Sequence, residues 1–219
     1  LSGIPECDDT QAMIDCLRQL GVQIETAGEN IIAEGPMDFG SSTIHLNARM
    51  SGASARLLIA LAALRSGATF IDGHTSLRAR SNLPLFDVLR THGCIIESKS
   101  GCLPAKISGT MQNKQMLTID GSISSQYITA LMIIAPFTGT DSGQVIEIIG
   151  NLVSRPYIDI TLNEMRKCGV KGHWKNSKTI FIEPHRYQNG TRTIEGDATA
   201  ATYFSGLATL HGGTVTLTN

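Results

Sequence analysis

The sequence has little surplus charge. Its net charge is −1, and its lysines and arginines are scattered rather than clustered, which excludes the basic footprint of a nucleic-acid binder. Any anionic ligand must therefore be held by local geometry. Long apolar runs are missing as well: the longest, residues 57–64 and 130–137, fall far short of the roughly 20 residues that a membrane-spanning helix needs. Residues 1–6 carry neither an initiator methionine nor the basic and apolar segments of a signal peptide, and are read as a cut end inside a longer protein. Cysteines are few and odd in number. Cys7, Cys16, Cys94, Cys102 and Cys168 show no CxxC spacing, and no histidine or cysteine pair has zinc-ligand spacing. The expectation is a reduced, cytoplasmic chain that binds no metal. Aromatics are sparse too, but 42% hydrophobic and 17% charged residues are the proportions of a folded protein, not a disordered one. Its 219 residues suffice for a sizeable core.

What the sequence does have is an internal repeat. Residues 10–22, 85–94 and 157–170 share one pattern, an amphipathic helix stopped by Gly21, Gly93 and Gly169 at near-equal spacing. Apolar positions recur at helical intervals (Met13, Leu17, Leu20; Ile158, Leu162, Met165), basic residues gather near the end, and glycine stands where a left-handed cap belongs. A strand and a returning strand are expected after each stop, at 23–26 and 30–34, 95–98 and 105–108, and 171–174 and 179–183. A second helix set alternates with the first and is apolar or alanine-rich on nearly all faces, the mark of burial: 57–64, 127–135 and 202–210. Each precedes a glycine-led strand, at 67–72, 143–149 and 212–218. The unit is strand, buried helix, strand, surface helix, strand, strand, an α/β design. Residues 1–192 hold about two and a half units, and 193–219 are expected to begin a second lobe.

Starts of the buried helices carry unpaired N–H groups and the positive end of the helix dipole, which suit an anion. Two are small and polar: Ser51-Gly52-Ala53-Ser54, and Asp120-Gly121-Ser122-Ile123-Ser124-Ser125-Gln126. Between the units, Leu77-Arg78-Ala79-Arg80 places Arg80 where a planar guanidinium could meet phosphate or carboxylate. One unit later Ser154-Arg155-Pro156-Tyr157 occupies the corresponding place, where Ser154 and Tyr157 could reach the side of Ser124. Serine is also a routine N-cap and loop arginines are often solvated, so the capping reading stays open for each. It stays open for Asp197 in Glu195-Gly196-Asp197 as well. The six histidines show no triad or metal spacing.

Residues 119–131 and 152–162 closely resemble stretches of the EPSP synthase family of enolpyruvyl transferases, and 51–56, 77–80 with 85–93, and 195–204 extend the resemblance in order along the chain. It implies an inside-out α/β fold of two lobes, each built from three βαβαββ units with mixed sheets around buried helices. It also implies transfer of the enolpyruvyl group of phosphoenolpyruvate to the 5-hydroxyl of shikimate 3-phosphate, on the route to chorismate and aromatic amino acids. By matching motif, Ser124, Ser125, Gln126, Ser154 and Tyr157 would hold shikimate 3-phosphate, while Gly52, Arg80 and Gln126 would meet phosphoenolpyruvate. No cofactor is implied, and a cytoplasmic monomer completed by the missing second lobe is expected.

The sequence departs from the family pattern at Met50, Ala53 and Ser81, where Asn, Thr and Pro are usual, all on the phosphoenolpyruvate side that glyphosate targets. The family's early Lys-Ser pair and its second-lobe acids and bases have no counterpart here. No catalytic residue is assigned, and the chain alone is expected to bind substrate weakly without turning over. Two other readings compete with this one. The sister transferase acting on UDP-N-acetylglucosamine commonly has cysteine where this chain has Thr75. A non-catalytic anion-binding repeat module would need its serines only as caps.

Overall fold

A computed structural model describes residues 1–28, 30–112 and 116–217. The elements run α1 (Asp8–Gln19), β1 (Gln23–Ala27), β2 (Asn30–Glu34), β3 (Ile44–Asn47), α2 (Gly52–Ala62), β4 (Thr69–Asp72), α3 (Thr75–Arg78), α4 (Leu83–Thr91), β5 (Ile95–Ser98), β6 (Ala105–Ser108), β7 (Met116–Asp120), α5 (Ser125–Thr138), β8 (Gln144–Ile149), α6 (Arg155–Lys167), β9 (Gly172–Asn176), β10 (Thr179–Ile182) and α7 (Ala198–His211).

Two units are complete and share one topology. In the first, β3 pairs parallel with β4, β4 antiparallel with β6, and β6 antiparallel with β5. The second repeats this as β7, β8, β10, β9. Each parallel pair is bridged by a helix, as parallel strands require: α2 in the first unit, α5 in the second. These two helices pack against each other inside the sheets, burying Leu58, Ile59 and Ala60 against the layer that holds Ile128, Leu131 and Met132. Their sheets present Ile71, Ile107, Leu117, Ile119, Ile146 and Ile148 to the same core. Removing any one of these wholly buried aliphatic side chains to alanine is worth about 2–5 kcal/mol. The amphipathic α1, α4 and α6 lie outside, each showing one face to the core.

The third, partial unit consists of α1 and the β1–β2 hairpin. In place of a parallel strand pair it has a short pairing: Ser2 bridges Asn30 antiparallel and Thr193 parallel. Ser2 N–H donates to Arg192 C=O at 2.9 Å, and Ile194 N–H to Ser2 C=O at 2.8 Å.

One expectation needs correction, the strand at 212–218. Helix α7 forms and, as a unit too incomplete to bury its own faces predicts, none of its residues is buried, and Tyr203 and Leu210 are 73% and 82% exposed. Its apolar surface has no sheet to cover it among the described residues. Residues 212–217 form no strand, because a strand needs a pairing partner and among the described residues no strand pairs with them; Thr218 lies outside the described residues. The four-residue helix α3, inside the loop that carries Arg80, gave no sequence signal.

All five cysteines are free thiols. Burial raises the pKa of Cys16 and pushes Cys94 up to about 11. Exposed Cys7, 3.2 Å from the Thr10 hydroxyl, is lowered by that hydrogen bond. Among the described residues no helix is long and apolar enough to cross a membrane, and no cluster of three metal-ligating groups occurs.

Two outcomes are expected. Alkylation at neutral pH, followed by mass spectrometry, labels Cys7 first and leaves Cys16 and Cys94 unmodified until denaturant is added. Tyr127 is 1% exposed and donates to the Ser81 carbonyl at 2.7 Å, tying α5 to the loop before α4. Tyr127→Phe loses this bond, for about 1 kcal/mol, and lowers the calorimetric melting temperature by about 2–4 °C.

Candidate functional site

The C-terminal ends of β3, β4, β7 and β8 point the same way within each parallel pair, and each leads into a loop or a helix start. Such ends are the usual location of ligands in open α/β sheets. The start of α2 is capped by Ser51, whose hydroxyl accepts from Ser54 N–H at 3.2 Å. The start of α5 is capped by Ser124, which accepts from Gln126 N–H at 3.3 Å. The capping reading therefore holds for both serines. It does not use up Ser124, whose hydroxyl proton remains free to donate. Ser125 beside it is buried, and Gln126 half-buried.

The sequence reading left one residue of this region without a role. Arg56, the single charge on an otherwise apolar helix, follows Gly52 by one turn and so shares its face. It is only 9% exposed. Its Nη1 donates to Gln126 Oε1 in a short hydrogen bond, and its guanidinium carbon lies 5.2 Å from the Tyr127 ring centroid. Its Nε is buried with no partner. Arg80 approaches from the loop after α3. A Cβ on Gly52 would stand 2.9 Å from Arg56 Nη1 and 3.1 Å from Arg80 Nη1, so any larger residue would push the two guanidinium groups away.

Among the described residues no carboxylate pairs with Arg56 or Arg80. Their neighbours differ. Arg78 is held by Asp72 at 2.8 and 2.5 Å. Arg65, fully buried, donates to Asp38 C=O, Thr69 Oγ1 and Ser42, with Asp38 Oδ2 at 3.5 Å. These two cations have answered charges; Arg56 and Arg80 do not. Arg80 is exposed to solvent, whereas Arg56 is desolvated, and a desolvated cation facing neutral partners is costly unless an anion joins it.

The second half of the site lies where β7 and β8 end. Gly121 N–H donates to Ile149 C=O at 3.0 Å and Val153 N–H to Gly121 C=O at 3.1 Å, so the loop before α5 and the loop before α6 run side by side. Gly150 has φ +71°, and a Cβ there would meet Asp120 Oδ1 at 2.8 Å. That carboxylate accepts Ser122 N–H at 2.8 Å, and the Ser122 hydroxyl and N–H together hold its pKa below the usual value. Ser154 has φ 56°, a left-handed backbone that serine seldom adopts, and its side chain makes no cap. The capping alternative fails for Ser154, and its hydroxyl is exposed. Tyr157, one turn on, is 57% exposed.

Gly52, Arg80 and Gln126 thus meet around Arg56, Ser124 and Ser125 continue from Gln126, and Ser154 stands on the adjoining loop with Tyr157 in the first turn of α6. Asp197 is elsewhere, accepting from Thr199 and Ala200 N–H at 2.9 and 3.0 Å as an ordinary cap. Of the three departures from the family pattern, Met50 is 57% exposed. The Ser81 hydroxyl accepts Leu83 N–H at 3.2 Å and so starts α4.

Comparison with known proteins bears on this arrangement. The family model for EPSP synthase (3-phosphoshikimate 1-carboxyvinyltransferase) matches residues 1–219. The 3-phosphoshikimate 1-carboxyvinyltransferase of Bordetella petrii is 36% identical, over 100% of this chain and 51% of its own length. The enzyme of that name from Methanospirillum hungatei is 35% identical, over 97% of this chain and 50% of its own length. The chain spans about half the length of the curated relatives it matches. In solved structures, EPSP synthase from Acinetobacter baumannii shares the fold with a TM-score of 0.72 at 19% identity, over 93% of this chain and 45% of that one. The enolpyruvyl transferase NikO from Streptomyces tendae shares it less closely, at 0.55 and 14%, over 85% of this chain and 43% of that one. A sequence match along the whole chain and the same repeated βαβαββ architecture lead to one conclusion: this chain belongs to the EPSP synthase family.

Proposed function

We propose that the chain forms the substrate-binding lobe, residues 1–192, of a transferase that moves the enolpyruvyl group of phosphoenolpyruvate to the 5-hydroxyl of shikimate 3-phosphate. One observation carries this reading: two guanidinium groups, Arg56 and Arg80, converge over Gly52 with no carboxylate paired to them among the described residues, beside a row of serines at helix starts. Two anionic substrates would supply the missing negative charge.

In this reading Ser124, Ser125 and Ser154 donate to the phosphate of shikimate 3-phosphate, with Tyr157 along its ring and Gln126 between the two substrates. Arg80 and Arg56 face phosphoenolpyruvate, and the open face of Gly52 admits its anionic groups. The reaction adds the 5-hydroxyl oxygen to C2 of phosphoenolpyruvate while C3 gains a proton. The tetrahedral adduct then loses phosphate and returns a proton from C3. The lobe's share is positioning and electrostatic stabilisation of a charge-rich adduct. Its assigned residues bind and position, and proton transfer falls to groups in the part of the family's length that this chain does not span. Five free thiols support the cytoplasmic setting.

Calorimetric titration tests the binding role. Shikimate 3-phosphate is expected to bind saturably and more tightly than inorganic phosphate. Ser124→Ala and Ser154→Ala should each weaken it by about tenfold or more, the worth of a hydrogen bond to a charged group. Equal affinity for inorganic phosphate, untouched by either substitution, would favour a simple anion-binding repeat module. A phosphate-release assay with both substrates should give no turnover by this chain alone; measurable turnover would refute the division of labour proposed here.

A further inference from the structure

Ser154 is held in a left-handed conformation that a residue with a Cβ seldom adopts. Such a backbone persists only where both flanks are fixed. Upstream, Val153 N–H is bonded to Gly121 C=O at 3.1 Å. Downstream, the first turn of α6 is fastened to strand β9 by three contacts that close on one another. Trp174 Nε1–H donates to Asp159 Oδ1 at 2.7 Å, the Arg155 guanidinium carbon lies 4.4 Å from the Trp174 ring centroid, and Arg155 Nε stands 3.8 Å from Asp159 Oδ2. Arg155 is the residue next to Ser154.

We propose that Trp174 is a positioning residue for the Ser154 hydroxyl. Its indole fixes Arg155 and Asp159, these fix the first turn of α6, and that turn presents Ser154 to the phosphate of the substrate. The inference rests on the reading of Ser154 as a phosphate contact given above. It needs the whole indole: the ring face holds the cation, and the N–H holds the carboxylate. Occupancy beside Ser154 must then alter the charge environment of the chain's single tryptophan.

The test titrates the chain with shikimate 3-phosphate, followed by calorimetry and by tryptophan emission. Emission should change saturably, with the same half-saturation as the heat. Trp174→Leu should weaken binding about fivefold, the worth of one such contact, and Trp174→Phe, which keeps the ring face, should recover part of the loss. Asp159→Ala, on the exposed side of the helix, should weaken binding to a similar extent, and decides the matter if Trp174→Leu does not fold. In a Ser154→Ala background, Trp174→Leu should have no further effect on affinity. Wild-type heat with silent emission, or folded Trp174→Leu and Asp159→Ala chains that bind like the wild type, would overturn the positioning role and leave the proposed function standing. Absence of wild-type heat would remove both.

Discussion

A positive charge withdrawn from water and given no acid organises the candidate site. Arg56 sits within an apolar helix, where a hydrophobic residue of similar volume would cost nothing and often stabilises. Its neighbours are neutral by choice of residue: the amide oxygen of Gln126 and the face of Tyr127. Both belong to α5, so one side chain joins the starts of the two inner helices while its charge stays unspent. What remains is aimed at Gly52, the spot that Arg80 also approaches. Against this stand Arg65 and Arg78, cations that the same chain uses for structure and answers in full.

The repeat explains why the rest of the site is within reach. In each complete unit the parallel strands end together, and the helix bridging them starts there. The hairpins β5–β6 and β9–β10 extend each sheet on its other side without disturbing that end. Two copies packed through α2 and α5 therefore place four strand ends and two helix starts close together, although the residues that face one another are separated by long stretches of chain. Short side chains and a strained serine then shape the surface, because bulk or regular backbone would fill it.

The fold was legible wherever a signal repeated. Glycine stops, amphipathic helices and paired strand runs told the same story in each unit, and α1, α4 and α6 with their hairpins lie where those patterns put them. Local chemistry was harder. Ser51, Ser124 and Asp197 are caps and Ser154 is not, a distinction that depends on backbone angles no residue type announces. Arg56 was inside a recognised motif but had no role, since its significance lies in what is absent around it. Helix α7 shows the limit of composition: an all-round apolar pattern records what a helix needs to cover it, and the described residues hold nothing that does so. The link between Arg155 and Trp174 crosses from a helix to an edge strand, and no periodicity points to it.

The pairing of Ser2 with Thr193 has a mechanical consequence. It lays residues 1–3 alongside residues 192–194, joined by main-chain hydrogen bonds on both sides of Ser2. Two adjacent strands behave as a ribbon, pliant across its face and stiff against shear in its plane. A shift of the segment that leads into α7 is thus passed through Ser2 to the edge of the β1–β2 hairpin.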